Sequence, residues 1–113
     1  MKTILHITKR TEWAAAKELG AYRGNTLDSE GFIHCSTLKQ VVGSANRFFQ
    51  GQQDLVILVI DEGLVQPEIK YEGDADNLFP HIYGALNVDA VVKSIDFEAG
   101  VDGIFSLPSE LTI

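Results

Sequence analysis

The chain has 113 residues, of which 45% are hydrophobic and 22% are charged, and these totals predict one soluble globular domain over residues 1–113. Sixteen acidic residues against nine basic ones give a net charge of −7 without any basic run, so a long nucleic-acid partner is not expected, whereas a small anionic ligand needs only one or two arginines. The longest apolar run, Leu55 to Ile60, is too short to cross a bilayer, and the single cysteine forms no internal disulfide, so we expect a cytoplasmic protein without a membrane partner.

The first third of the chain predicts a strand, a helix and an irregular segment. Alternating β-forming residues over 3–8 indicate the strand, and the helix-forming residues over 9–19 predict a helix that Gly20 ends. Residues 21–28 contain Gly24-Asn25 and are interpreted as irregular, with a short strand near Tyr22.

The next block predicts a turn, a strand and a second helix. Residues 28–31 have turn chemistry, and a strand is expected over Phe32 to Cys35. A helix then opens at Ser36-Thr37 and ends at Gly51, because Thr37 and Gln40 fit a capping box and apolar residues follow with a helical period.

The second half is predicted to be mainly β. Residues 54–61 form a strand whose apolar run, Leu55 to Ile60, is continuous, so we expect it to be buried on both faces. The remaining segments are interpreted as a short strand over 69–72, an acidic loop over 73–78, a loop or edge strand over 79–86, a strand over 91–97 and an undetermined tail over 98–113. Strands and helices mix without strict alternation, which favours an α+β fold.

All three histidines lie within apolar stretches: His6 in Ile4-Leu5-His6-Ile7, His34 in Phe32-Ile33-His34-Cys35 and His81 in Pro80-His81-Ile82-Tyr83. A half-buried imidazole needs a partner for each ring nitrogen, so three such residues suggest a shared polar cleft. By strand alternation, His6 shares a face with Ile4 and Thr8, and His34 shares one with Phe32 and Ser36. The alternative is that backbone carbonyls at a sheet edge satisfy each imidazole.

A metal site is not expected from these histidines. Zinc accepts three imidazoles, but no two of these histidines share a helix face or a short clamp. Cys35 points to the face opposite His34, where a free cysteine behaves as a small apolar residue, and this also argues against a Cys–His nucleophile pair.

Three arginines are candidate anion ligands, since a guanidinium matches phosphate oxygens: Arg10, Arg23 and Arg47. The alternative for each is a solvated surface charge. Ser36 and Thr37 either cap the second helix or hold a phosphate at its start. Trp13 and Tyr22 are interpreted as core or wall residues, and no sequence neighbour gives Asn46 or Glu72 a role.

Several of these segments, in this order, resemble the "domain of unknown function 952" family of small bacterial and plant proteins. They are Leu5-His6-Ile7-Thr8, Gly31-Phe32-Ile33-His34-Cys35-Ser36, Asn46-Arg47-Phe48-Phe49, residues 54–61 and Phe79-Pro80-His81-Ile82-Tyr83-Gly84. The resemblance covers residues 1–97 and leaves the 98–113 tail outside.

That family is similar to the ADP-ribosyltransferases, including the RNA 2′-phosphotransferases. The resemblance implies an α+β fold with a split, curved, mixed β-sheet, two short helices and a cleft for NAD. It implies that His6 holds a ribose hydroxyl and His34 stacks on nicotinamide, and that His81 or an apolar neighbour replaces the glutamate of many transferases. The resemblance also implies that further residues bind the ligand: Thr8, Arg10, Ser36, Arg47 and Tyr83.

The implied reaction passes through an oxocarbenium-like state at the ribose and uses a small phosphorylated acceptor, since a phosphate nucleophile needs no general base. Two other functions stay open at this point. One is a non-enzymatic module that binds a small ligand or nucleotide in the same cleft, and the other is a metal-dependent hydrolase built on the three histidines.

Overall fold

The structure, a computed structural model, describes residues 2–111. Its main elements follow in chain order: β1 (Thr3–Lys9), α1 (Arg10–Leu19), β2 (Ala21–Tyr22), α2 (Leu27–Glu30), β3 (Ile33–His34), α3 (Val41–Phe48), β4 (Leu55–Asp61), β5 (Glu68–Asp74), β6 (Asn77–Tyr83), β7 (Leu86–Asn87) and β8 (Val91–Phe97). Short 3-10 turns occupy Glu62–Leu64, Val88–Ala90 and Ser109–Leu111.

The apolar β4 segment is the central strand of the first sheet, whose order is β1-β4-β8. All residues from Leu55 to Ile60 are buried, which confirms the predicted burial on both faces. Burying a large apolar side chain stabilises a fold by about 1.5–3 kcal/mol, so this strand contributes heavily to stability.

Two hydrophobic cores lie on opposite faces of the β1-β4-β8 sheet. Val56, Leu58 and Ile60 enter the first core, where they meet Trp13 and Tyr22. The intervening β4 residues enter the second core with residues of α3 and of the C-terminal tail: Leu55, Ile57, Val59, Val41, Ala45, Phe105 and Leu111. The period of two in a strand therefore distributes one apolar run between two cores.

A second sheet has the order β3-β6-β5, and the prediction for its central strand was wrong. Residues 73–78 are a hairpin rather than an acidic loop, and residues 77–83 form a central strand rather than a loop or edge strand. The Pro80 carbonyl accepts a hydrogen bond from the Cys35 N–H at 3.0 Å, whereas the Pro80 nitrogen has no hydrogen to donate to a neighbouring strand. The β3–β6 ladder ends at this point.

The chain then switches from one sheet to the other. Ser36 exchanges two backbone hydrogen bonds with Leu5 of β1, at 2.7 and 2.8 Å, and this isolated bridge joins the two sheets. Pro80 therefore lies beside the point where the chain leaves β6 and joins β1.

Two details of the predicted fold were wrong. The sheet is not mixed, because every strand pair in the described part of the chain is antiparallel, including the β2–β7 pair. There are three α-helices among residues 2–111 rather than two, since residues 27–30 form one helical turn.

The predicted helices α1 and α3 are present, but α3 is shorter than predicted at both ends, since its last residue is Phe48 and not a residue next to Gly51. Gly20 ends α1 in a left-handed conformation with φ of 83°, as predicted. The second helix begins at Val41 instead of Ser36-Thr37. The Gln40 side chain does reach back to the Thr37 N–H at 3.0 Å, which is one half of the predicted capping box.

The tail over 98–111 packs against the second core. Phe105 is 1% exposed and stacks on Phe97. Asn46 of α3 binds the Phe105 backbone twice: the Phe105 N–H donates to Asn46 Oδ1 at 2.8 Å, and Asn46 Nδ2 donates to the Phe105 carbonyl at 3.1 Å. No helix among residues 2–111 is both long and apolar enough to cross a membrane.

Candidate functional site

Aromatic and ionisable side chains cover the outer face of the β3-β6-β5 sheet. Ile33, Ile69 and Ile82 point to the first core, so the alternate residues point outward. We define the histidine face by the residues that touch one another there: Phe32, His34, Glu72, His81 and Tyr83.

Phe32 is at the centre of the ring contacts on this face. Its ring stacks on His81 with centroids 4.2 Å apart and planes 16° apart, and it meets His34 edge-on at 4.8 Å. The His34 and His81 rings are themselves 5.1 Å apart. Two histidines far apart in sequence therefore contact the same aromatic ring, because His34 and His81 are directly paired in the β3–β6 register.

Glu72 contributes a carboxylate to the histidine face that the sequence analysis did not identify. Its Oε1 accepts a hydrogen bond from Tyr83 at 2.5 Å and another from His81 Nδ1 at 2.9 Å. These bonds, with the Tyr83 bond first, lower the pKa of Glu72, so the group is ionised at neutral pH. The sequence feature that could have identified Glu72 is the alternation of Glu68, Lys70 and Glu72. It becomes informative only when the β5–β6 hairpin is recognised.

His34 is the most accessible histidine. Its side chain is 48% exposed, and its Nε2 donates to Glu30 Oε1 at 3.2 Å. By contrast, the His81 side chain is 13% exposed and lies beneath the surface of the cluster. His34 is therefore the imidazole that a ligand on this face meets first.

His6 adjoins the histidine face through the backbone of β3. Its Nδ1 donates to the His34 carbonyl at 2.5 Å, and its Nε2 lies 2.7 Å from the Tyr22 hydroxyl. Burial lowers the pKa of His6 from 6.5 to about 4, so the imidazole is neutral at physiological pH. Both ring nitrogens are engaged within the chain, and a direct contact to a ribose hydroxyl requires one of these bonds to open.

A chain of hydroxyl groups continues from His6 toward α1. The Tyr22 hydroxyl lies 2.9 Å from Thr8 Oγ1, and Thr8 Oγ1 lies 2.9 Å from Glu12 Oε2. Thr8 is 3% exposed, so this predicted ligand residue acts inside the protein, between Tyr22 and Glu12. Glu12 and Tyr22 also line a cavity of about 230 Å³ beside α1.

Two other predicted ligand residues are bound to partners elsewhere. Arg10 donates to Asp54 at 2.9 Å and to Asp96 at 2.6 Å, which neutralises its charge at one end of the first sheet. Ser36 is 7% exposed and bonds to the Ser44 hydroxyl at 3.2 Å. Arg23, which belongs only to the three candidate arginines, pairs with Asp28.

Arg47 differs from the other two arginines. Within residues 2–111 no carboxylate pairs with it, and its guanidinium lies 5.2 Å from the Phe48 ring centre. It lines a groove of about 310 Å³ between α3 and the β5–β6 hairpin. Phe79, which also lines this groove, lies two residues before His81 on β6.

The described residues, 2–111, contain no group of three or more His, Cys, Asp or Glu placed to hold a metal ion. The engaged nitrogens of His6 give a physical reason why the three histidines do not form one. Cys35 is 3% exposed on the opposite face from His34, as predicted, and burial raises the pKa of its thiol well above the usual range.

Comparison with known proteins finds a matching family model and similar solved structures. A family model described as "Protein of unknown function (DUF952)" matches residues 7–94. The crystal structure of protein CC0527 from Caulobacter crescentus is 33% identical, with a TM-score of 0.89 over 99% of this chain and 100% of that chain. The solution NMR structure of CC0527 is 34% identical, with a TM-score of 0.82 over 99% and 98%. No curated protein matches this chain.

Proposed function

This chain belongs to the family described as "Protein of unknown function (DUF952)", and from that membership and the histidine face we propose that it is an ADP-ribosyltransferase-like domain. It binds NAD or a related nucleotide and transfers ADP-ribose to a small phosphorylated acceptor. The observation that carries the proposal is the convergence of His34 and His81 on the Phe32 ring, with the Glu72 carboxylate bonded to His81.

The side chains of the histidine face fit the chemistry of a nucleotide. His34 presents an accessible ring beside Phe32, and aromatic surfaces of this kind stack on a flat heterocycle. The Glu72 carboxylate is an acceptor for a ribose hydroxyl, and His81 and Tyr83 hold it in place. We therefore assign ring stacking to His34 and ribose orientation to Glu72.

His6 is a positioning residue in this proposal. Its Nδ1–H fixes the carbonyl of His34, and hence the strand that presents the His34 ring. The neutral state that burial imposes keeps one nitrogen as an acceptor for the Tyr22 hydroxyl. The role proposed for His6 is thus to hold the first ring of the site rather than to touch the ligand.

Bound NAD would supply the ADP-ribose group and release nicotinamide. In the transfer, the bond from the ribose carbon to nicotinamide breaks and its electron pair leaves with nicotinamide, while a phosphate oxygen of the acceptor forms the new bond. An ionised phosphate carries no proton to remove, so no general base is needed. We assign to the ionised Glu72 the stabilisation of the positive charge that develops on the ribose.

A second function, binding without transfer, is favoured by the openness of the histidine face. His34 is 48% exposed, and neither the 230 Å³ nor the 310 Å³ cavity is lined by a histidine. Stabilising developing charge is most effective where water is excluded, and an open face gives less of that effect.

Thermal-shift and nicotinamide-release assays test both functions. NAD, ADP-ribose and nicotinamide are added to the wild type and to His34→Ala, Glu72→Gln and the surface control Glu18→Gln. We expect NAD to raise the melting temperature of the wild type and of Glu18→Gln but not of His34→Ala. Glu72→Gln should retain the shift and lose nicotinamide release in the presence of phosphate.

The outcomes separate the two functions. A shift without any nicotinamide release in the wild type supports the binding module and contradicts transfer. No shift with any of the three compounds contradicts both functions.

A further inference from the structure

The groove between α3 and the β5–β6 hairpin combines positive charge, aromatic walls and open space. Its volume is about 310 Å³, and its lining residues are Lys39, Gln40, Gly43, Ser44, Arg47, Phe48, Asn77 and Phe79. None of these residues is acidic, although the chain has sixteen acidic residues and a net charge of −7. Asp74 and Asp76 of the same hairpin lie outside the lining.

The two cations of the groove are available to a ligand. Ion pairs occupy Arg10 and Arg23, whereas no carboxylate of the described chain pairs with Lys39 or Arg47. Other lysines of the described chain, such as Lys17 and Lys93, also lack an ion pair, so the groove is distinguished by bringing two such cations together where no lining residue is acidic. Two of them in one groove mark the place where an anion is attracted.

Gly43 has no side chain, so the floor of the groove at this position is the backbone of α3. A glycine inside a helix is about 1 kcal/mol less favourable than alanine. A Cβ built at Gly43 meets no atom within 4 Å, so no neighbour within the chain requires a glycine there. The missing side chain leaves the α3 backbone open to close approach from the groove, which is a use of glycine at ligand sites.

The walls of the groove are aromatic and held in place. Phe48 is 64% exposed, and its ring supports the Arg47 guanidinium. Gln40 bridges the two walls, since its Nε2 donates to the Leu78 carbonyl at 2.7 Å and to Asn77 Oδ1 at 3.0 Å. A large exposed apolar ring beside a free cation suits a ligand that has both a phosphate and an apolar part.

We propose that this groove is a diphosphate-binding subsite, in which Lys39 and Arg47 contact the phosphates of a nucleoside diphosphate group and Phe48 packs against its apolar part. The inference deepens the proposed function and rests on it for the nucleotide. Phe79 and His81 are alternate residues on one face of β6, and alternate strand residues are about 7 Å apart. A dinucleotide therefore reaches from the groove to the histidine face across Phe79.

Isothermal titration calorimetry with pyrophosphate and with ADP tests the groove directly. Arg47→Gln and Lys39→Gln should each weaken pyrophosphate binding by about tenfold or more, because each removes a charge-assisted contact. Lys93→Gln is the control, since it removes the same charge from a surface lysine of β8 outside the groove. Phe48→Ala should weaken ADP binding more than pyrophosphate binding, because pyrophosphate has no apolar part to pack on the ring.

A third variant addresses the floor of the groove. Gly43→Glu places a carboxylate in the groove at a helical position with free space, so it should fold and lose pyrophosphate binding. Equal affinity of the wild type and Arg47→Gln for pyrophosphate would overturn the inference, as would equal losses in Arg47→Gln and Lys93→Gln.

The experiments can contradict the groove proposal and the histidine-face proposal independently of each other. His34→Ala should bind pyrophosphate like the wild type while losing the stabilisation by NAD. Pyrophosphate binding that depends on Arg47, in a protein that NAD, ADP-ribose and nicotinamide do not stabilise, supports the groove and contradicts the proposed function. Stabilisation by NAD without any pyrophosphate binding contradicts the groove alone.

Discussion

The Nε2 atom of His6 lies 2.7 Å from the Tyr22 hydroxyl. That hydroxyl has a single hydrogen and a second acceptor within reach, Thr8 Oγ1 at 2.9 Å. His6 Nδ1 faces a backbone carbonyl, which only accepts, so this nitrogen carries a proton in every state. The protonation of Nε2 therefore decides the direction in which the phenolic hydrogen points.

Two hydrogen-bond patterns follow from this constraint. With His6 neutral, Tyr22 gives its hydrogen to Nε2 instead of Thr8, and the Thr8 hydroxyl donates to the Glu12 carboxylate. With His6 protonated, Nε2 donates to Tyr22, Tyr22 donates to Thr8 and Thr8 donates to the Glu12 carboxylate. Burial favours the first pattern, because it lowers the pKa of His6 to about 4.

We predict that His6 makes the stability of the protein depend on pH. Between pH 6.5 and about 4 the unfolded chain binds a proton at His6 that the native chain does not, so the free energy of unfolding decreases as the pH falls through this range. Urea unfolding at several pH values measures this slope. His6→Gln should reduce the slope, and the exposed control Asn25→Ala, which removes no ionisable group, should keep it. An unchanged slope in His6→Gln would contradict the prediction.

Tyr22→Phe should lower the free energy of unfolding by about 1–3 kcal/mol, because it leaves His6 Nε2 and Thr8 without their shared partner in a buried position. The ring itself, 3% exposed in the first core, stays packed. Tyr71→Phe is the matched control, since the Tyr71 hydroxyl bonds to Glu62 where water can replace it. Chemical denaturation compares the two variants, and equal losses would contradict the special role of Tyr22.

Local sequence patterns correctly predicted the elements that can be recognised from their own periodicity. They failed for the elements whose structure depends on pairing with a strand far away in the sequence. The β1, α1, β4 and β8 segments follow from their own periodicity. The β5–β6 hairpin was missed because Pro80 argued against a central strand. That argument holds only if the proline nitrogen faces a full ladder, whereas here β3 leaves β6 at Cys35.

The candidate site was predictable only in part, for a similar reason. Strand alternation correctly placed His34 and Cys35 on opposite faces. The contact between Glu72 and His81 depends on the hairpin register, which pairs Lys70 with His81 and places Glu72 diagonally across from it. Likewise, nothing near Arg10 in sequence indicates that Asp96 neutralises it.

Asn46→Ala should lower the free energy of unfolding by about 1–3 kcal/mol, because it leaves the N–H and carbonyl of the buried Phe105 without partners. Hydrogen exchange should also become faster over residues 98–111, since Asn46 attaches this tail to α3. Asn25→Ala, in the loop before α2, is the control and should change neither measurement. A loss of stability without faster exchange in the tail would show that Asn46 acts elsewhere.

The same substitution at two glycines should have opposite effects. Gly43→Ala should raise the free energy of unfolding by about 0.5–1 kcal/mol, because alanine favours the helix and the added Cβ meets no atom within 4 Å. Gly20→Ala also meets no atom within 4 Å, but φ there is +83°, so it should destabilise the protein by about 1–2 kcal/mol. Thermal and urea unfolding measure both variants. If Gly43→Ala also destabilises the protein, Gly43 serves the packing of α3 rather than the open floor of the groove.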